Sequence, residues 1–160
     1  NAGGNGPEHI ISIPASNGHW SGSMLLCFLE GNNTACAVKT MFADKTVSDS
    51  WMTWEGGQSI AGLMNNAWRH IALVYNASNS SMTLYVDGVA NPNIKSWGGH
   101  GNINMDDSKV NEFRVGVGPS GNLDGDDWLA GTWKGGLDQI RLYTTALTAA
   151  EVQALFTARK

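Results

Sequence analysis

The feature that most constrains this chain is a pair of short apolar runs joined by a polar tip: residues 69–75 (RHIALVY), the link NASNSS, and residues 82–88 (MTLYVDG). β-Branched and aromatic residues suit a pleated, half-buried surface, and two such runs around an Asn/Ser-rich link predict a hairpin. Runs of similar length recur at 9–13 (HIISI), 23–29 (SMLLCFL), 35–42 (ACAVKTMF), 51–55 (WMTWE), 113–118 (FRVGVG) and 137–143 (LDQIRLY). Eight short strands at this spacing predict a sandwich or a barrel. In 69–75 both alternating faces are largely apolar, which predicts a central strand covered on each side. Gly, Asn and Ser make up 48 of the 160 residues. They supply positive φ and local side-chain turns, so the chain can reverse after every run.

Only the C-terminal end has a helical pattern. Thr148-Ala149-Ala150-Glu151 reads as a capping box, with Val152, Leu155 and Phe156 following at i, i+3 and i+4. Residues 90–111 read as one long surface loop, too short to be a domain linker, so 1–160 is expected to form a single domain. Charged residues are only 15% of the chain and the net charge is −4, which leaves no basic footprint for nucleic acid or an anionic membrane. No apolar run reaches the length of a membrane span, and the opening residues lack the pattern of a signal peptide. Cys27 and Cys36 would face each other, and permit a disulfide, if Gly31-Asn32 formed a two-residue loop. A loop shifted by one residue breaks that register and leaves two buried thiols.

The succession AWRHIALVYN, MTLYVDGV, FRVGVG, then a tryptophan and glycine before LDQIRLYTTALTAAEVQALF resembles the laminin-G-like jelly roll of the concanavalin A-like superfamily. The resemblance covers about residues 67–157 and is carried by Trp68 and His70, by Tyr85, Asp87 and Gly88, and by Gly136-Leu137-Asp138 through Phe156. It implies an all-β antiparallel β-sandwich of concanavalin A-like, jelly-roll type with one short C-terminal helix. It also implies that Trp68 and Trp133 pack in the core, that His70 is a packed strand residue, and that a sandwich edge can hold calcium. A phenylalanine, aspartate and glycine strand that opens many relatives is not found here.

Hydrolases of that superfamily need paired carboxylates on one face of a strand. The five glutamates, Glu8, Glu30, Glu55, Glu112 and Glu151, include no two close in sequence, so no glycosidase pair is predicted. No G-x-S-x-G, Walker loop or H-E-x-x-H occurs either. Trp51 and Trp54 are three apart and should point to opposite faces of their strand. Trp20, Trp97 and Trp128 lie in loop-like stretches. A tryptophan beside hydrogen-bonding groups can stack on the apolar face of a sugar, and by elimination Trp97, with His100 and Asn102, and Trp128 are the candidate ligand platform. In GNLDGDDW, the alternate oxygens of Asn122, Asp124 and Asp126 form half of a calcium site, to which Asp106 and Asp107 could add; a solvated acidic turn is the alternative.

These observations predict a non-catalytic, extracellular or cell-surface carbohydrate-binding module with a glycan as ligand and calcium as its expected ion. A protein-binding or adhesion module is the first alternative and a glycoside hydrolase the second. Asn32, Asn76 and Asn79 open formal glycosylation sequons.

Overall fold

The computed structural model of the protein describes residues 6–16, 24–110, 112–119 and 131–158. In chain order the elements are β1 (Glu8–Ile13), β2 (Met24–Gly31), β3 (Cys36–Ala43), β4 (Ser50–Trp54), β5 (Ile71–Asn76), β6 (Ser81–Val86), β7 (Val89–Ala90), β8 (Lys95–Ser96), β9 (Arg114–Val115) and the helix α1 (Ala149–Thr157). They belong to two compact units, Asn1–Ala67 with Asn104–Asp138, and Trp68–Ile103 with Gln139–Lys160.

The first unit holds a five-stranded antiparallel sheet in the order β4-β3-β2-β1-β9. Its register is set where β2 turns into β3. Gly31 pairs with Cys36, leaving Asn32–Ala35 as the turn. Asn32 Oδ1 accepts from the backbone N–H groups of Thr34 and Ala35 at 2.9 and 3.1 Å. Gly31 has φ +110°, and a Cβ there would collide with the Ala35 carbonyl, so glycine is required for this turn. The four-residue loop places Cys27 opposite Thr40, four ladder steps from the Gly31–Cys36 pair, so both thiols are free and buried. Burial pushes the Cys27 thiol up to about 12 and the Cys36 thiol up to about 11. Both stay protonated, and therefore poorly nucleophilic, at ordinary pH.

Alternation then divides the sheet into two faces. Leu29, Val38 and Trp54 are fully buried on one, and Leu26, Phe28, Met41 and Ala43 cluster on the other. Trp51 and Trp54 do fall on opposite faces: Trp54 is buried, whereas half-buried Trp51 meets Phe28 edge-on at 6.1 Å. Past β3, Asp44 is almost fully buried and each of its oxygens is satisfied. Oδ1 accepts from Thr46 N and Oγ1 and from Val47 N, and Oδ2 accepts from Asn104 N at 3.0 Å. A buried carboxylate with this many donors is a structural tie.

In the second unit β6 is the middle strand, bonded to β5 on one side and to β7 and β8 on the other. The hairpin predicted around NASNSS is present, pairing Ile71 with Val86 through Asn76 with Ser81. Among the described residues, however, β5 lies at the sheet edge with all six residues half-buried, which corrects its expected central position. Residues 137–143 form no strand. Gln139 sits at φ +51°, which interrupts an extended run, and Ile140, Leu142 and Tyr143 are exposed. The run at 113–118 shortens to Arg114–Val115, because Gly116 at φ +72° ends the extension. Trp68 is 66% exposed, against the core position expected for it: it precedes β5, so no sheet face carries the indole. Trp133 is half-buried, its Nε1 donating to the Gly136 carbonyl at 3.1 Å.

The helix forms as its sequence predicts. Thr148 Oγ1 accepts from Glu151 N at 3.3 Å while Thr148 N donates to Glu151 Oε2 at 2.7 Å, and Val152 is fully buried. The Thr148 backbone N–H, followed by its hydroxyl, donates to the Glu151 carboxyl and holds it below its ordinary value. Phe156 reaches the His70 ring at 6.0 Å, which orients α1 within its own unit.

These positions order three substitutions. Leu84 is fully buried in the middle strand, so Leu84→Ala should cost about 2 to 5 kcal/mol. Loss of the Thr148 cap in Thr148→Ala should cost about 1 kcal/mol. Leu73→Ala, on the half-buried edge strand, should cost clearly less than Leu84→Ala. Urea melts measure all three, and equal losses at Leu73 and Leu84 would show that β5 is buried as deeply as β6.

Candidate functional site

The segment after β8 is folded back by the hairpin it follows. Ser80 is buried at the tip between β5 and β6 with φ +51°. Its carbonyl accepts from Trp97 N at 2.7 Å and its Oγ accepts from Gly101 N at 2.8 Å. Both ends of the Trp97–Gly101 loop are thus held by one residue. Between them Gly98 and Gly99 have φ +56° and +78°, and Gly101 has +81°. Such left-handed positions cost a residue with a Cβ about 1–2 kcal/mol each, so this reversal depends on glycine.

The reversal lays the His100 ring on the Trp97 indole, with centroids 3.7 Å apart and planes inclined by 13°. His100 N also donates to the Trp97 carbonyl at 3.0 Å. From β5, Tyr75 meets the indole edge-on at 5.6 Å and 70°, and its hydroxyl donates to the Gly101 carbonyl at 2.6 Å. Three rings and two backbone clamps therefore fix one aromatic surface in the second unit. Aromatic contacts of this kind are worth about 0.5–1.5 kcal/mol each.

The structure thus brings the rings of Trp97 and His100 together. Asn102 lies two residues farther along, exposed, and its side chain has no hydrogen-bond partner among the described residues. Trp128 and the calcium candidates Asn122, Asp124 and Asp126 lie outside the described residues. Asp106 is engaged in its own turn: Oδ1 accepts from Ser108 N and Oγ, and Lys109 Nζ lies 3.6 Å from Oδ2. The Ser108 hydroxyl is the main reason its carboxyl is held below the ordinary value. Among the described residues no three His, Cys, Asp or Glu side chains gather as a metal site. Sequence reasoning missed Tyr75 and Ser80, whose contacts to the loop span 26 and 21 residues.

One pair of carboxylates does converge, although the two residues are distant in sequence. Glu30 Oε2 and Glu55 Oε2 lie 2.7 and 3.0 Å from Lys39 Nζ in the first unit. Burial acts to lower the Lys39 ammonium, but hydrogen bonds and charge from both glutamates outweigh it and hold its pKa above the ordinary value. The Lys39 ammonium occupies the space between the two carboxylates, where a glycosidase pair would flank the scissile bond.

His9, on β1, is fully buried against Phe28, with ring centroids 4.9 Å apart and neither ring nitrogen hydrogen-bonded within the described chain. Burial lowers its pKa from 6.5 to about 4. As pH falls from 6.5 to 4 the unfolded chain takes up a proton that the folded chain refuses, so stability drops across that window. The loss at this one group is on the order of 3 kcal/mol. His9→Phe should flatten that part of the pH dependence in urea melts at pH 7 and pH 4.5; identical slopes for both proteins would contradict a neutral buried imidazole.

In comparison with known proteins, the Laminin_G_3 family model, described as the concanavalin A-like lectin/glucanases superfamily, matches residues 5–153. No curated protein matches the chain.

Proposed function

Because the chain belongs to the Laminin_G_3 family of the concanavalin A-like lectin/glucanase superfamily, we propose that it is a non-catalytic carbohydrate-binding module of a larger secreted or surface-displayed protein. The β-sandwich of that superfamily hosts both lectins and enzymes, so the reading rests on the site and not on the fold. The observation that carries it is the Trp97–His100 stack. A pyranose offers an apolar C–H face and a rim of hydroxyls, which suits a fixed aromatic surface with an exposed amide, Asn102, beside it. A Cβ added at Gly98, Gly99 or Gly101 would meet nothing within 4 Å, so the loop backbone leaves room for a ligand there. The Lys39 ammonium that both Glu30 and Glu55 bond sits where a hydrolytic pair would hold the scissile bond, which supports binding over hydrolysis. Among the described residues no helix is long and apolar enough to cross a membrane, and the −4 net charge does not favour nucleic acid.

A glycan array tests this reading, run with and without chelator. Against the best glycan, Trp97→Ala should lose about 2 kcal/mol, roughly thirtyfold in affinity. Asn102→Ala should weaken binding with no change in melting temperature, because the side chain is exposed. Unchanged affinity in both variants would remove the loop from the site.

Calcium belongs to the same proposal, since Asn122, Asp124 and Asp126 offer the hard oxygen donors that Ca²⁺ takes. An ion bound only to the folded state raises stability by about 2.7 kcal/mol at a hundredfold excess over Kd. Millimolar Ca²⁺ should therefore raise the melting temperature of the native chain but not of Asp124→Ala or Asp126→Ala. No shift in the native chain would reduce GNLDGDDW to a solvated turn.

An adhesion role, with a protein ligand, is the second reading. It is favoured by an apolar groove of about 360 Å³ along α1, lined by Tyr143, Leu147, Ala154, Leu155 and Ala158 with Glu151 at its side. Ile140 and Leu142 are also exposed in the same unit.

A further inference from the structure

We propose a second saccharide-binding surface, in the first unit, formed on one face of the five-stranded sheet by Trp51, Thr53 and Glu55 together with Lys39 and Glu30. It does not rest on the Trp97 loop, which lies in the other unit. Register creates it. Met41 pairs with Trp51, Lys39 with Thr53 and Glu30 with Ala37, so alternation sends these side chains to the same side of β2, β3 and β4, and Glu55 follows at the next same-face position.

The polar half of this surface is fixed but not saturated. Lys39 Nζ bonds Glu30 and Glu55, and Thr53 Oγ1 donates to Glu55 Oε1 at 2.9 Å. An ammonium has three protons to give, and a carboxylate accepts through both oxygens. One Lys39 proton and Glu30 Oε1 therefore have no partner among the described residues, while the rest of the network holds both groups in place. A donor beside an acceptor is what two neighbouring sugar hydroxyls require. The side chains of Glu30 and Glu55 are 37% and 51% exposed, so a ligand can reach them without unfolding the sheet. The apolar half is Trp51, half-buried and oriented by its edge contact with Phe28. A partly exposed indole next to paired donors and acceptors matches the amphipathic surface of a pyranose. A metal ion fits less well, because the two carboxylates already share an ammonium that the ion would have to displace.

The test titrates the methyl glycosides of glucose, galactose, mannose and N-acetylglucosamine into the ¹⁵N-labelled chain carrying Trp97→Ala, in which the loop site is weakened about thirtyfold. At least one should give saturable amide shifts centred on residues 37–39 and 51–55. Glu30→Gln, at an exposed position and neutral in charge, should weaken that binding about tenfold while the melting temperature holds. Lys39→Met should abolish it, and its own spectrum reports whether the sheet is intact. Absence of saturable shifts in this region for all four glycosides, or binding unchanged in Glu30→Gln, would overturn the proposal. Loss of the loop site alone leaves it standing.

Discussion

The turn from Gly31 to Cys36 is the constraint on which the first unit depends. Side chains alternate along a strand, so sliding β2 against β3 by one residue would exchange its buried and exposed faces. The chain prevents this with a glycine that no other residue can replace without a clash at the Ala35 carbonyl, and with an asparagine side chain that closes the loop on itself. With the register set, Phe28 faces Lys39, Leu26 faces Met41, and the row continues onto β4 as Thr53 and Trp51. The same step separates the two cysteines and brings Glu30 and Glu55 onto one lysine. Core, thiols and charge network are all consequences of one loop length.

The second unit uses a different device, a hydrogen-bonded clamp. Ser80 ends the β5–β6 hairpin and holds the loop after β8 at two points, one through its carbonyl and one through its hydroxyl. Three left-handed glycines then let His100 return over Trp97, and Tyr75 supports the indole from the side. A loop fixed in this way needs little further ordering when a ligand arrives, which lowers the entropic cost of binding.

Legibility in the sequence followed the range of the forces involved. β1 to β6 were readable because each run carries its own alternation and is bounded by turn residues, and α1 because its cap is completed within four residues. The two-residue strands β7 and β8 were not, since pairing with β6 and not local pattern creates them. The opposite error occurred at 137–143, where a strand-like composition is overridden by a left-handed Gln139. At the candidate site, the nearness of Trp97 and His100 was legible because they are three residues apart among glycines. Tyr75 and Ser80 contact the loop only through tertiary folding, and the Glu30–Lys39–Glu55 network depends on register that spacing cannot supply.

The account's central claim is that a sugar stacks on the Trp97–His100 surface. Intermolecular NOE spectroscopy with the best glycan from the array tests it directly. The account predicts contacts between the sugar's ring C–H protons and the aromatic protons of Trp97 or His100. A glycan that binds saturably yet shows contacts only to other residues, such as Tyr143 and Leu155 in the groove along α1, would contradict it.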